Sequence, residues 1–156
     1  MKTILTLLLL LSSLVGVSQN CKYEKNDIDQ FTGKMTKLTK PVVIFENSKS
    51  KGFVSIQKTD EKFAIIFVCD GNFNIRKEIK DGSTLSFLLE TGKVITITKS
   101  TGSVYQISKT DILELMQNKT ISCRVQYQKN NELVTEDIKV KKGDAARLTN
   151  LVKCVL

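Results

Sequence analysis

Short apolar runs separated by turn residues at hairpin spacing are the feature that most constrains the fold of this chain. The run at 63–68 and the alternating run at 94–98 are typical of strands, and residues 90–93 (Glu-Thr-Gly-Lys) favour a hairpin turn. Successive strands lie too close together in the sequence for the dozen or more residues of a helical crossover. The sheet is therefore expected to be antiparallel.

Two helix signals accompany these strands. Ser108 and Asp111 form a Ser-x-x-Asp variant of the capping box ahead of an apolar stripe at 112–116. Asp144 is placed to cap a second helix near the C-terminus. Its inward face is expected to hold Leu148, Leu151, Val152 and Val155. The predicted fold class is α+β, mostly antiparallel β, with about seven or eight short strands in an open sheet or partial barrel, one inserted helix and one C-terminal helix.

The first 18 residues have the three parts of a secretory signal peptide. Lys2 supplies the positive charge, residues 4–11 are almost wholly aliphatic, and small residues precede a cut after Ser18. The apolar run is well short of the roughly 20 residues that span a bilayer. We therefore expect a cleaved signal peptide at 1–18 and a single β-rich domain at 19–156. That domain would be exported, either to the periplasm or out of the cell, without a membrane span.

Export changes how the four cysteines are interpreted, because pairing is the default in an oxidising compartment. None of them has the C-x-x-C spacing of a zinc ribbon or a thioredoxin-type pair. Of the three possible connectivities we favour Cys21–Cys154, which ties the mature N-terminus to the last helix, with Cys69–Cys123 between two strands. The alternative for the second pair is two unpaired core thiols, because a free cysteine packs as a small hydrophobic residue.

The charge of the chain is basic and comes mostly from lysine. There are 24 Lys and Arg against 16 Asp and Glu, and aromatic residues make up 6% of the chain. The arginines are Arg76, Arg124 and Arg147. Nucleic-acid readers use arginine for base contacts and aromatic residues for stacking, so we expect no nucleic-acid partner. A solvated basic surface is the default, and weak affinity for anionic glycan or lipid head groups is the functional alternative.

The residues needed for most catalytic centres are missing from the sequence. With no histidine there is no Ser-His-Asp triad, no Cys-His pair and no imidazole-ligated metal. Asp27 and Asp29 come nearest to a metal site, but residues 31–34 do not supply the further oxygen ligands that calcium needs. No nucleophile elbow or phosphate-binding glycine loop is present. We therefore predict no catalytic residue, no metal site and no cofactor.

Several short motifs are distributed over the mature chain. They are Val17-Ser18-Gln19, Cys21-Lys22-Tyr23, residues 29–33, Asp81-Gly82, residues 89–96, Ile107-Ser108-Lys109, and a lysine-rich final helix with Cys154. With these motifs the chain resembles small exported uncharacterised proteins of Bacteroidetes-like bacteria. The resemblance implies an exported bacterial protein, and it implies no activity and no functional residues.

The first functional hypothesis is an exported, non-enzymatic, disulfide-stabilised domain that binds an unknown protein or envelope component. Such a domain would present an exposed apolar or aromatic patch on its sheet. Phe73, Phe87 and Tyr105 are the residues expected to form this possible binding surface.

Two other functions are open at this point. One is an inhibitor of an extracellular enzyme such as a lysozyme or protease, which would need a rigid projecting loop. The hairpin tips predicted at 58–62, 70–72 and 129–132 are the candidates for that loop. The other is a thiol-dependent enzyme that uses Cys69 or Cys123, and this function requires the sulfur to be free.

Overall fold

The computed structural model describes residues 21–46, 50–71, 79 and 81–156. The predicted signal peptide at 1–18 and Phe73 lie outside these residues. Within the described ranges, every helix is too short or too polar to cross a membrane.

Two helices and eleven strands form over the described residues. The helices are α1 (Lys109–Gln117) and α2 (Lys142–Lys153). The strands are β1 (Tyr23–Ile28), β2 (Met35–Thr39), β3 (Val42–Glu46), β4 (Ser50–Thr59), β5 (Lys62–Gly71), β6 (Thr84–Leu89), β7 (Val94–Ile97), β8 (Ser100–Thr101), β9 (Val104–Ile107), β10 (Thr120–Lys129) and β11 (Glu132–Lys139). The predicted fold class is confirmed, with α1 inserted before the last hairpin and α2 at the C-terminal end.

The strands form two open antiparallel sheets rather than a closed barrel. The seven-stranded sheet has the order β1-β2-β4-β5-β9-β8, with β3 also paired to β4, and the four-stranded sheet has the order β11-β10-β6-β7. The described strands outnumber the prediction partly because the polar, lysine-rich segment that begins the described chain forms the β1–β2 hairpin.

β2 and β3 share one edge of β4. β2 pairs with residues 57–59 and β3 pairs with residues 51–54, so Ile56 lies between the two pairings. The buried Thr39 side chain closes this gap, because its Oγ1 accepts a hydrogen bond from the Ile56 backbone N–H at 2.9 Å. The β1–β2 hairpin is therefore fixed to the sheet through a side chain as well as through the ladder.

One hydrophobic cluster joins the sheets and helices. α1 packs against α2 and β5, and α2 packs against β3, β4 and β10. The four residues predicted for the inward face of the C-terminal helix are all buried: Leu148, Leu151, Val152 and Val155.

The helix starts show one confirmed cap and one correction. Ser108 Oγ accepts a hydrogen bond from the Asp111 backbone N–H at 3.1 Å and donates one to Asp111 Oδ2 at 2.7 Å, which confirms the predicted cap of α1. The N-cap of α2 is Lys141 rather than Asp144. Asp144 instead lies in the first turn, where a carboxylate is stabilised by the helix dipole.

Candidate functional site

Two of the three aromatic residues predicted to form a binding surface are core residues. Phe87 and Tyr105 have no exposed surface at all. The Tyr105 hydroxyl group hydrogen-bonds to Ser83 Oγ at 2.9 Å, so its polar end finds a partner inside the protein. These two residues therefore cannot form the predicted exposed patch. Alternation along a strand separates its two faces but does not show which face is covered.

The cysteines divide into one disulfide and two thiols. The favoured Cys21–Cys154 bond is present and links residues 133 positions apart. Cys69 and Cys123 are free and buried, which corrects the predicted second disulfide and agrees with the alternative of two core thiols. They lie on β5 and β10, in different sheets, and each packs in the shared core as a small hydrophobic side chain.

The two free thiols lack the surroundings of a reactive cysteine. Burial raises the pKa of Cys69 to about 12. Burial also raises the pKa of Cys123, which is fully enclosed. Because the thiolate is the nucleophile, a reactive cysteine needs a lowered pKa and partial exposure. Neither condition is met at these positions.

The Asp27 and Asp29 carboxylates do not converge on a metal site. Asp27 forms an exposed ion pair with Lys25 at 3.5 Å. The Asp29 carboxylate accepts a hydrogen bond from a backbone N–H in the turn that follows β1. The described residues contain no group of three or more Cys, Asp or Glu side chains able to hold a metal ion.

The connection between β1 and β2 carries a fully exposed aromatic side chain. Phe31 is 100% exposed, and Ile28 and Met35, which pair across the hairpin beside it, are 61% and 43% exposed. We call these three residues the apolar tip. Exposed apolar residues are ordinary when scattered singly, but here three of them lie at one hairpin end.

Hydrogen bonds within residues 29–34 hold the apolar tip in one conformation. Asp29 Oδ1 accepts from the backbone N–H of Phe31 at 2.9 Å and of Thr32 at 2.7 Å. The Asp29 backbone bonds to Gly33 at 2.8 Å and to Lys34 at 2.9 Å. Gly33 takes a φ of +69°, which a glycine adopts without strain. The bond from Thr32, more than that from Phe31, keeps the pKa of Asp29 below its ordinary value.

The hairpin behind the tip is anchored to the rest of the molecule. The disulfide lies just before β1, and the Tyr23 hydroxyl donates a hydrogen bond to the Cys154 carbonyl at 2.6 Å. Near the tip, the Met35 carbonyl accepts from the Asp60 backbone N–H at 3.2 Å. This support fixes the backbone from which the Phe31 side chain projects.

The three hairpin tips named as candidates for an inhibitor loop are less suited to binding than the apolar tip. The β4–β5 turn is polar, with Asp60 at its start, and the β10–β11 turn consists of Asn130 and Asn131. The predicted turn at 70–72 is partly strand, because Gly71 pairs with Ser50, and residue 72 lies outside the described residues. Phe31, Ile28 and Met35 were not among the residues expected to form a binding surface. A lone phenylalanine between polar turn residues was the signal that could have identified the tip.

Comparison of the chain with protein-family models, with curated proteins and with solved structures found no match. The apolar tip is therefore identified as a candidate site by its geometry alone: a large exposed aromatic side chain, two apolar neighbours and a hydrogen-bonded support.

Proposed function

We propose that this protein is an exported, non-enzymatic binding module that engages an envelope or extracellular protein through the apolar tip. The observation that carries the proposal is the full exposure of Phe31 on a loop fixed by its own hydrogen bonds. Burying a phenylalanine side chain stabilises a protein by about 1.5–3 kcal/mol, and the tip leaves that stabilisation unused within the chain. A complex would recover it.

The form of the tip suits a protein partner with an apolar pocket. Phe31 would fill the pocket, and Ile28 and Met35 would pack around its rim. Aromatic side chains surrounded by less important contacts commonly dominate the binding energy of interfaces. Because the loop is already ordered, little conformational entropy remains to be lost on binding.

Export and the absence of catalysis are part of the same proposal. The sequence pattern at 1–18 and a disulfide, which is typical of an oxidising compartment, support export. The buried, protonated state of Cys69 and Cys123 supports a non-enzymatic role.

The intact mass of the protein after iodoacetamide treatment tests both export and the absence of a reactive thiol. We expect a chain that begins at Gln19, no label in the native protein, and two labels after denaturation without reductant. Rapid native labelling would favour a thiol enzyme.

Site-specific photocross-linking in the producing cell tests the binding site. We would replace Phe31 with the photoreactive residue benzoylphenylalanine and, as a matched control, replace Leu133, which is 63% exposed on the other hairpin. A discrete cross-linked protein at position 31 but not at position 133 is the expected result. No adduct at 31, or the same adducts at both positions, would refute binding through the tip.

The rigid projecting loop also favours the second candidate function, an inhibitor of an extracellular lysozyme or protease. An inhibitor loop must stay ordered in the free protein, and the Asp29 hydrogen bonds provide that order. Inhibition assays with the wild type and with Phe31→Ser separate the two functions. Loss of inhibition in the variant would identify an inhibitor, whereas no inhibition by the wild type leaves the binding module as the function.

A further inference from the structure

A cleft lies beside the disulfide, at the opposite end of β1 from the apolar tip. Lys22 precedes β1 and Ile28 ends it, which places the two features about 20 Å apart for a strand that rises about 3.3 Å per residue. The cleft has a volume of about 290 Å³. This is just below the usual range of small-molecule sites, about 300–1,000 Å³, so only a small ligand fits.

Three cationic side chains line this cleft from two parts of the fold. Lys22 and Lys40 are neighbours across the start of the β1–β2 hairpin, where the Lys40 backbone N–H donates to the Lys22 carbonyl at 2.9 Å. Arg147 reaches the cleft from α2. The part of the chain that the structure describes contributes no carboxylate to the lining. A cleft lined by charges of one sign raises the local concentration of ions of the opposite sign, so this lining favours an anion.

Asp144 is the one carboxylate that an ion pair connects to this cluster within the described ranges. It accepts a single hydrogen bond from Arg147 Nη1 at 3.1 Å, on the same helix. A guanidinium group has five N–H donors, so the others are available to an anionic ligand. Asp144 therefore orients Arg147 without using up its capacity to bind.

The remainder of the lining is mainly apolar. Pro41 immediately precedes β3 and Val42 begins it, and Leu151 is a buried residue of α2. The Cys21–Cys154 bond fixes the cationic side of the cleft to α2, because it joins the segment that carries Lys22 to the end of that helix. A ligand in this cleft thus meets positive charge at one side and apolar surface along its length.

We infer that this cleft binds small amphiphilic anions, with a carboxylate or phosphate head group at the cations and a short alkyl chain along the apolar wall. The head group accepts charge-assisted hydrogen bonds from Lys22, Lys40 and Arg147. The alkyl chain removes the exposed surface of Val42 and its neighbours from water. Both parts are needed for binding, because each set of contacts is small.

Titration of the disulfide-bonded protein, followed by amide chemical shifts, tests this inference. The probes are hexanoate and hexyl phosphate, compared with acetate, which lacks the chain, and 1-hexanol, which lacks the charge. We expect saturable shifts at the cleft for at least one of the two amphiphilic anions. Acetate and hexanol should bind about tenfold more weakly or less. The tighter of the two amphiphiles identifies the head group.

Two variants with the same change of charge locate the site. Lys22→Gln with Lys40→Gln should weaken binding of the amphiphile about tenfold. Lys129→Gln with Lys139→Gln, on the exposed β10–β11 hairpin, should leave it unchanged. Val42→Thr should weaken binding of the amphiphile and not alter the response to acetate. All four lysines are exposed, so both double variants should keep the folded spectrum.

Three results would overturn the inference. They are the absence of saturable shifts with both amphiphilic anions, acetate or hexanol binding as tightly as the amphiphiles, and equal weakening by the two double variants. Each of these leaves the proposed role of the apolar tip unaffected, because that role is tested at Phe31.

Discussion

The two long hairpins at the sheet edges, β1–β2 and β10–β11, differ most at their turns. β10–β11 reverses through Asn130 and Asn131, whose φ values of 51° and 65° are those of a type I′ turn. β1–β2 uses the longer connection at 29–34 and exposes Phe31 at its end. Reversing the chain needs only two polar residues, so the apolar tip is not required for the turn. The difference favours binding as its role.

The hairpins also differ in how they are held. β1–β2 is tied to distant parts of the chain by the Cys21–Cys154 bond and by Thr39. On β10–β11, the bidentate pair between Arg124 and Asp137, at 2.6 and 2.8 Å, lies within the hairpin and is exposed. Exposed pairs of this kind contribute little to stability. Strand pairing joins each hairpin to its sheet, through β4 for β1–β2 and through β6 for β10–β11, and the hairpin with the apolar tip has the covalent link in addition.

Removal of the disulfide is expected to have the largest effect. Cys21→Ser with Cys154→Ser should lower the free energy of unfolding by roughly 2–5 kcal/mol, because the bond closes almost the whole chain. Urea denaturation measures the change. The matched variant on the other hairpin, Arg124→Gln, should cost under about 1 kcal/mol. An equal decrease in the free energy of unfolding for the two variants would show that the difference in anchoring does not affect stability.

Thr39→Val is expected to have the next largest effect. The change keeps the shape of the side chain but leaves the buried Ile56 N–H without its acceptor, which costs about 1–3 kcal/mol. Thr36→Val is the control, since Thr36 is half-buried and its hydroxyl group only meets Thr59 Oγ1 at 3.3 Å. Denaturation of both variants checks the prediction. A loss no greater than that of Thr36→Val would contradict the role given to Thr39.

Changes at Asp29 should alter local order at the tip. The pKa of Asp29 is lowered in the folded protein, so its turn is stabilised above the ordinary pKa of 3.8 and loses that stabilisation as pH falls through the lowered value. The NMR chemical shifts of the Phe31 and Thr32 amide protons should therefore report the protonation of Asp29 at a pH below 3.8. Asp29→Asn should keep the turn and abolish this titration, and Asp29→Ala should speed amide exchange at both residues. Unchanged exchange in the alanine variant would contradict a turn held by Asp29.

The smallest expected effect on stability is that of Phe31→Ser. A fully exposed side chain makes no core contact, so the free energy of unfolding should change by less than about 0.5 kcal/mol. Leu133→Ser on the other hairpin should behave in the same way. Only the Phe31 variant should lose binding to a cross-linked partner once one is identified. A destabilisation above 1 kcal/mol, by the same denaturation measurement, would show that Phe31 has a structural role.

Features encoded within a few residues were predictable from the sequence. The cap of α1 at Ser108 and the hairpin at 90–93 are both present as expected. The expected turn at 70–72 failed because Asp70 and Gly71 find strand partners in β4. Turn-forming residues mark a turn only where the neighbouring strand also ends, and that depends on a partner elsewhere in the chain.

The candidate sites were much less predictable. Phe87 and Tyr105, which were expected on the surface, are core residues. The apolar tip and the cleft lined by Lys22, Lys40 and Arg147 were not predicted. The apolar tip depends on which side chains stay exposed, and the cleft depends on segments that are far apart in the chain lying close together. Lys22 and Arg147 share a cleft because β1 and α2 are joined at Cys21 and Cys154, and residue patterns within either segment do not reveal that.

The sequence by itself determined the antiparallel α+β class, the helix cap at Ser108 and the buried face of α2, because strand period, turn chemistry and capping act over a few neighbouring residues. Only the tertiary structure decided that Cys69 and Cys123 stay as thiols, that Phe31 is exposed while Phe87 is covered, and that β2 and β3 share one edge of β4. Those outcomes depend on which surfaces meet when the two sheets and two helices pack, and packing joins residues that no local pattern connects.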